Sequence, residues 1–362
     1  CKLIFNPKYI AIQVTDSTAW SKYIAANKTA FSNAYKSVTT GATPQAVTSA
    51  VQAPEIMENT AEAAPGTDLT LHTALVQSSW GTVHASRAFV DALSNRMQNA
   101  TTLGESKSTA AWLSVLGGAG RISWDGAYAG SDYHLTGAAF GMQQQLTTRS
   151  TMGLAIGNSW GKVSSFGAPA IDQDTTHIAL YGDSTLLQRE KDALTLSWSA
   201  AYGRSDSDMT LDGINSEWEQ KALQLNARAT YGYALSERTT LSGFAGLEYL
   251  TTDSGDIAPG AASGSVQNLR GEIGVSLGHK FSDRSSMYAE LSFVGDMVRN
   301  NPTAEVSGVR SKGSNPGRAG INFSVGGSHA LNENWSVNAA YNLELMQHAN
   351  SHSANIGFSR SF

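Results

Sequence analysis

The 362-residue sequence has little of several things that most soluble enzymes contain. It has one cysteine, so no disulfide can form within the chain and no thiolate metal site is available. Charged residues make up only 15% of it, and no basic cluster indicates a nucleic-acid partner. No run of about 18 apolar residues occurs, which excludes a transmembrane helix but not a membrane strand. Low charge combined with 35 glycines argues against both disorder and an ordinary α/β enzyme.

The lone cysteine and the histidines carry no clear chemistry. Cys1 fits two interpretations, the lipidated first residue of a mature lipoprotein or the arbitrary start of a fragment, and the missing signal peptide favours the second. His348 and His352 are spaced i, i+4, but they flank turn-like residues and have no carboxylate motif nearby. We therefore expect no metal and no other cofactor.

Strict alternation of apolar and polar residues begins near Ala110. In WSVNAAYNLEL, which starts at Trp335, every second residue is apolar and the others are mainly Ser, Asn and Glu. Such a period of two indicates antiparallel strands with one apolar and one polar face. We predict twelve strands, at 110–122, 133–147, 150–163, 174–188, 193–205, 218–235, 239–251, 266–281, 285–298, 317–331, 335–347 and 352–362.

The connections between these strands alternate in length. Those after the even-numbered strands are tight, such as SER and SDR, whereas those after the odd-numbered strands are mostly longer and rich in Gly, Pro, Asp and Ser. An even count of long strands with short turns at one end is typical of outer-membrane barrels, and a soluble β-protein is the alternative. We predict an all-β transmembrane barrel of 12 antiparallel strands with an apolar outer wall and a polar inner wall. The expected membrane-girdle aromatics are Trp112, Tyr133, Trp160, Trp198, Trp218, Tyr249, Tyr288 and Trp335.

The chain ends in NIGFSRSF, where Ile356, Phe358 and Phe362 alternate up to a terminal aromatic residue. This is how outer-membrane barrel proteins end, so we interpret the three residues as a C-terminal assembly signal. Arg360 departs from the pattern, which usually has an apolar residue there, but at the barrel rim it can extend its charge to the headgroups.

The region before the strands differs in character. LIFNPKYIAIQV, from Leu3 to Val14, is predicted as one strand broken by a proline, and residues 41–68 are rich in Ala, Thr and Pro. Residues 74–100 carry the longest helical pattern, but its apolar residues do not collect on one face. A helix polar on most sides suits a wet, narrow enclosure.

Helix, even-numbered barrel and C-terminal aromatic, in this order, make the chain resemble the translocator domain of a classical autotransporter (type Va secretion). SSWGTVHASRAFVDALSNRM resembles the lumenal helix of that family, and AWLSVLGGAGR followed by YHLTGAAFGMQQQL resembles its first hairpin. The resemblance implies that residues 1–73 are a passenger tail and linker, 74–105 a lumenal linker helix and 106–362 the barrel. A barrel of twelve strands leaves an inner width of about 14 Å, and one helix needs about 10–12 Å.

The resemblance also implies a function. The barrel would export an N-terminal passenger by hairpin-like threading without nucleotide, and anchor it at the surface of a diderm bacterium. Outer-membrane lipid, the barrel-assembly machinery, periplasmic chaperones and the passenger itself would be its partners, and the barrel would be monomeric. The alternative is a passive channel or porin-like barrel.

Charges inside the barrel follow from the alternation. The helix carries Arg87, Asp91 and Arg96, and a ring of wall carboxylates without cations would repel itself. We hypothesise that Arg87 or Arg96 pairs with wall glutamates; water alone solvating these charges is the alternative. The inward wall residues predicted to make lumenal charge contacts are Arg228, Glu248, Arg270, Glu272, Glu290 and Glu344.

Three short stretches resemble catalytic motifs. GNSWG around Ser159 matches a serine-hydrolase elbow and GDST around Ser184 echoes another, but no helix follows the first and the second lies within a strand. Some autotransporters cleave themselves at a lumenal Asn, and Asn95 and Asn99 are the conceivable residues here. The Asn–Asn pair of that branch is absent, so we predict no enzyme and an uncleaved passenger.

Overall fold

The structure is a computed structural model that describes residues 2–6, 9–13, 70–103, 109–123, 130–165, 167–211, 213–253, 255–258, 261–306 and 309–362. The chain divides into two units, Cys1–Thr60 and Ala61–Phe362. In the first unit, β1 (Lys2–Asn6) and β2 (Tyr9–Gln13) form an antiparallel hairpin, in place of the single broken strand predicted there. Cys1 and most of the predicted passenger tail lie outside the described residues.

The second unit contains one described helix, α1 (Thr70–Leu103), and sixteen described strands. The helix begins four residues before the predicted position 74. The strands are β3 (Ala110–Ile122), β4 (Ser131–Thr147), β5 (Ser150–Ser165), β6 (Ile171–Gln188), β7 (Asp192–Leu211), β8 (Ile214–Ala234), β9 (Thr239–Thr252), β10 (Gly255–Ala258), β11 (Ala261–Ser263), β12 (Gln267–Ser282), β13 (Ser285–Asn300), β14 (Thr303–Val306), β15 (Val309–Lys312), β16 (Ala319–Ala330), β17 (Trp335–Met346) and β18 (Ala349–Ser361).

Twelve of these strands form a closed barrel, which confirms the predicted fold class. Each pairs antiparallel with its neighbour along the chain, and β18 closes the barrel against β3. The closing register runs from Ala349 opposite Ile122 to Ser361 opposite Ala110. Closure satisfies the backbone hydrogen bonds that an open sheet would expose at its two edges.

The outer wall is apolar, as the alternation predicts. On β5, Leu154 and Ile156 are 60% and 56% exposed, while Ala155 between them is buried. The predicted aromatic girdle is partly wrong. Trp160 and Trp335 face outward, but Trp112, Tyr133, Trp218 and Tyr288 are buried inside the barrel, because each lies in the inward phase of its strand.

The two ends of the barrel differ, although less regularly than predicted. At the short-turn end, the chain reverses within a few residues between β4 and β5, β8 and β9, and β12 and β13. At the long-loop end, the connections after β7 and β17 are also short, two residues each, because β7, β8 and β18 extend beyond their predicted bounds at this end. The long loops after β9 and β13 instead build a small sheet of order β10–β11–β14–β15, called the loop sheet below. Within the described residues, no helix is long and apolar enough to cross a membrane.

The outer wall predicts a strong dependence on position for a charge placed there. Leu154→Arg puts a cation in the middle of the apolar band of β5 and should lower the free energy of unfolding in lipid vesicles by about 2–4 kcal/mol. Asn158→Arg, four residues along the same strand at the polar border, should cost about 0–1 kcal/mol. Urea titration followed by tryptophan fluorescence measures both, and equal costs would contradict the predicted membrane band.

Candidate functional site

The helix α1 fills much of the barrel lumen and contacts all twelve barrel strands. Its first turns lie at the long-loop end, where Leu75 and Trp80 join an apolar cluster with Ile122 and Ile171 at the ends of their strands. Its later turns approach the short-turn end, where Gln98 donates a hydrogen bond to Glu290. The helix therefore runs down the lumen towards the end where β3 begins and β18 finishes.

Small polar residues let the upper half of the helix lie against the wall. Gln173 donates to the backbone oxygen of Ser78 at 3.0 Å, and Gln220 donates to Ser79 Oγ at 3.0 Å. A Cβ at Gly81 would lie 1.9 Å from Gln173 Oε1 and 2.7 Å from Val163 Cγ2, so a larger residue would require these side chains to move away from the helix. The serines that make the helix pattern irregular in sequence are thus buried contacts.

The inner wall from β3 to β7 mixes polar residues with a large group of apolar and small ones, so the prediction of a polar inner wall is only partly right on this side. Phe89 of the helix stacks on His177 with ring centroids 4.8 Å apart, and Leu93 is fully buried. Trp112 donates to Tyr181 OH at 2.6 Å. This wall and the lower half of the helix form one apolar cluster, so the helix sits against one side of the lumen.

The opposite wall carries charges that contact the helix. Arg87 donates to Glu248 Oε1 from Nη2 at 2.7 Å and from Nε at 3.1 Å, and Gln224 donates to the other carboxylate oxygen at 3.0 Å. Arg228 forms an ion pair with Glu290, which also accepts from the helix. These bonds connect α1 to β8, β9 and β13 through partly buried side chains.

The remaining predicted charges occupy several environments. Arg270 donates to Glu344 at 2.6 Å and to Asp296 at 2.9 Å. Glu272 accepts from Ser292 at 2.5 Å.

On the helix, Asp91 accepts from Ser353 at 3.0 Å. Arg96 is buried and is not among the residues that line the charged side of the lumen.

A polar cavity of about 700 Å³ lies between the helix and this charged wall. Arg87 and Glu248 line its inner part, and Lys191, Arg238 and Lys280 line its mouth at the short-turn end. All the predicted inward wall charges border this one cavity. Water that enters from the short-turn end therefore reaches the ion pairs beside the helix.

Asp296 and Arg299 belong to the same charge network but were missed in the sequence. Asp296 lies on the same alternation as Glu290, so extending the period along β13 identifies it. Arg299 does not follow this alternation. Leu269 pairs with Val298 and Arg270 with Asp296, so β13 has one extra residue at this point and the inward side shifts from the even-numbered to the odd-numbered residues.

The catalytic motifs do not assemble a hydrolase site. Ser159 is buried in the inward phase of β5, and the strand continues to Ser165 where an elbow requires a helix. Ser184 lies in β6 and its Oγ donates to Ser150 Oγ at 3.1 Å. Among the described residues, no group of His, Cys, Asp and Glu is arranged to hold a metal ion.

Asn95 is held on both sides of its side-chain amide. Its nitrogen donates to Asn355 Oδ1 at 2.9 Å, and its oxygen accepts from Tyr288 OH at 2.9 Å. The side chain of Asn99 lies outside the described residues.

A closed twelve-stranded barrel with a helix through its lumen defines a class of outer-membrane transport domain. The profile of the autotransporter beta-domain matches residues 111–342, and the chain belongs to this family. The barrel is thus an outer-membrane translocator for a passenger domain. The autotransporter beta-domain is a transport domain rather than a catalytic one.

Solved structures share the fold at low sequence identity. The transport unit of the autotransporter AIDA-I from Escherichia coli has a TM-score of 0.59 and 16% identity, covering 79% of this chain and 99% of that one. The translocator domain of the autotransporter NalP from Neisseria meningitidis has a TM-score of 0.57 and 15% identity, covering 78% and 99%. The beta domain of the Bordetella autotransporter BrkA has a TM-score of 0.53 and 14% identity, covering 70% and 100%. No curated protein sequence matches the chain.

The Arg87–Glu248 pair predicts a coupled effect on stability. Arg87→Glu places two carboxylates together in the partly buried contact and should lower the melting temperature of the barrel. Glu248→Arg in the same chain restores opposite charges and should recover part of the loss, with a coupling free energy of about 0.5–3 kcal/mol. Thermal melting of the two single variants and the double variant measures this coupling. Strictly additive effects would show that the helix does not depend on the pair.

Proposed function

We propose that this chain exports the segment N-terminal to its helix and keeps that segment anchored at the outer surface of a diderm bacterium. In this proposal residues 1–73 are the passenger tail and linker, 74–105 the lumenal linker and 106–362 the barrel. The observation that carries it is the direction of the helix. Thr70 begins it at the long-loop end, while β3 starts and β18 finishes at the short-turn end.

The packing of the helix at the long-loop end disfavours a passive channel. The first turns of the helix, with Leu75, Val76 and Trp80, pack into a buried apolar cluster at the long-loop end. The cavity beside the helix opens towards the other end. A porin requires a water path between both ends, whereas a translocator that has delivered its passenger requires a closed one.

We propose that the passenger is not cleaved from the helix. Cleavage at Asn95 requires its side-chain nitrogen to lose a proton and attack the backbone carbonyl of the same residue. That nitrogen donates to Asn355, whose amide oxygen is a weak base, and Tyr288 holds the other side of the group. The contacts therefore favour an intact helix that tethers the passenger.

The C-terminal strand presents an apolar row to the outside of the barrel. Ile356, Phe358 and Phe362 face outward on or beside β18, and Arg360 lies over the rings of Trp335 and Phe362 at 5.6 Å and 5.0 Å. This cation–π arrangement keeps the guanidinium at the rim without disturbing the apolar row. We propose that periplasmic chaperones and the barrel-assembly machinery recognise this row, and that the barrel inserts as a monomer.

Protease sites on intact cells test the orientation. A site inserted between Gly66 and Thr67 should be cut by protease added outside, because the chain before the helix would be exposed at the surface. The matched control is the same site between Asp283 and Arg284 in the β12–β13 turn, which should be cut only after the outer membrane is permeabilised. Protection of the first site, or cutting of the second in intact cells, would contradict the proposal.

Intact mass tests the tether. Protein purified from membranes should give a single mass that includes both the helix and the barrel, in the wild type and in Asn95→Ala alike. A wild-type product broken after Asn95 that disappears in Asn95→Ala would contradict the proposal that the passenger stays attached to the barrel.

A further inference from the structure

The loop sheet joins two long loops above the first turns of the helix. β10 and β11 come from the loop after β9, and β14 and β15 from the loop after β13. β11 pairs with β14, which makes the two loops one four-stranded unit. Its strands β11 and β14 contact α1.

The segment after β15 lies directly against the helix. A Cβ at Gly313 would lie 2.1 Å from Val76 Cγ1, so the backbone of this loop touches the side chain of the helix. Gln77 of the helix donates to the buried Ser314 Oγ at 3.3 Å. Ala304 of β14 and Val266 are fully buried in the apolar cluster around the first helical turns. The loops, the helix and the strand ends therefore form one dry layer.

Arg299 fastens this loop to the barrel. Its side chain is 2% exposed and donates to Asp296 Oδ2 at 2.9 Å. It also donates to the backbone oxygen of Gly317 and to Asn315 Oδ1, both in the returning limb of the loop. Asp296 is fully buried and accepts from Arg270 as well, so the fastening continues into the lumenal network. A buried charge pair of this kind is costly to break on one side only.

Below the dry layer the lumen contains an open cavity. The cavity beside the helix extends from the short-turn end to Arg87 and Glu248. The charged contacts around the lower helix thus border water and are a poor barrier to ions. The described residues at the core of the dry layer are apolar, among them Leu75, Trp80 and Val266.

We propose that the loop sheet is a lid, that Arg299 is the latch that holds it shut, and that lid and first helical turns together form the permeability barrier of the pore. The barrier then lies at the long-loop end, and the ion pairs lower in the lumen hold the helix without sealing the pore. Whatever the passenger is, a lid of this kind opens for its passage and closes on the helix afterwards.

Conductance of the purified full chain in planar bilayers tests the latch. Arg299→Gln removes the charge that ties Asn315 and Gly317 to Asp296, and should raise the single-channel conductance several-fold. Arg284→Gln, an exposed arginine in the β12–β13 turn that does not line the cavity, is the matched control and should conduct as the wild type does. Migration of unheated protein on gels reports whether each variant has a closed barrel.

Gly313→Leu is a second way to release the lid from the helix if Arg299→Gln does not fold. The added side chain would overlap Val76 and displace the lid, and the barrel strands are unaffected because Gly313 lies in the loop. Conductance equal to that of the wild type in whichever of the two variants folds would overturn the proposal.

A disulfide distinguishes an opened lid from a displaced helix. An added Cβ at Gly313 would lie 3.3 Å from Val76 Cβ, close to the separation of about 3.5–4.5 Å found in disulfides. Val76→Cys with Gly313→Cys, in a chain carrying Arg299→Gln and Cys1→Ser, should conduct poorly when oxidised and well when reduced. High conductance in the oxidised form would show that ions bypass the lid and would contradict its assignment as the barrier. Because conductance does not depend on export, failure here and failure of the protease-site test are distinguishable.

Discussion

The structure depends on one constraint, that a sheet surrounded by lipid has to satisfy all of its backbone hydrogen bonds. An open edge strand would leave a row of N–H and C=O groups without partners, at several kcal/mol each. Pairing of β18 with β3 removes both edges, and closure creates an outside and an inside. Strict alternation along each strand then sends Leu154 and Ile156 to lipid and their neighbours to the lumen. A closed lumen of this size in turn provides the enclosure in which α1 is held.

The position of the helix explains why the lumen has two different sides. Apolar packing of Phe89 and Leu93 against the β3–β7 side binds the helix off-centre. Its displacement leaves room on the other side for water, which solvates the charges that hold the helix through Arg87. Apolar burial on the β3–β7 side therefore binds the helix, and the ion pairs on the other side fix its orientation. A transport domain benefits from both, because its lumen has to accept a chain during export and retain a helix afterwards.

The strands were predictable from the sequence because the period of two is a local signal. Twelve of the predicted segments overlap the barrel strands, and the ends of β3 agree with the prediction to the residue. The same period puts Glu248 and Glu290 on the inner face, where they line the cavity beside the helix, but it does not identify their partners, which come from strands and a helix distant in sequence.

The misplaced aromatics and the missed loop sheet have different causes. Trp112 and Tyr288 were expected at the membrane border because aromatics occur there, yet their phase along the strand turns them inward. The lid escaped prediction altogether, since glycine-rich loop sequence contains no signal for pairing between β11 and β14.

Amide hydrogen exchange across the β3–β18 seam, measured in detergent micelles, tests the central claim most directly. A closed barrel predicts that the amides of Val115 and Ile356, which face each other there, exchange as slowly as those in the β12–β13 pair. Rapid exchange along both β3 and β18, with slow exchange elsewhere, would reveal two free edges and contradict a sealed barrel around the helix.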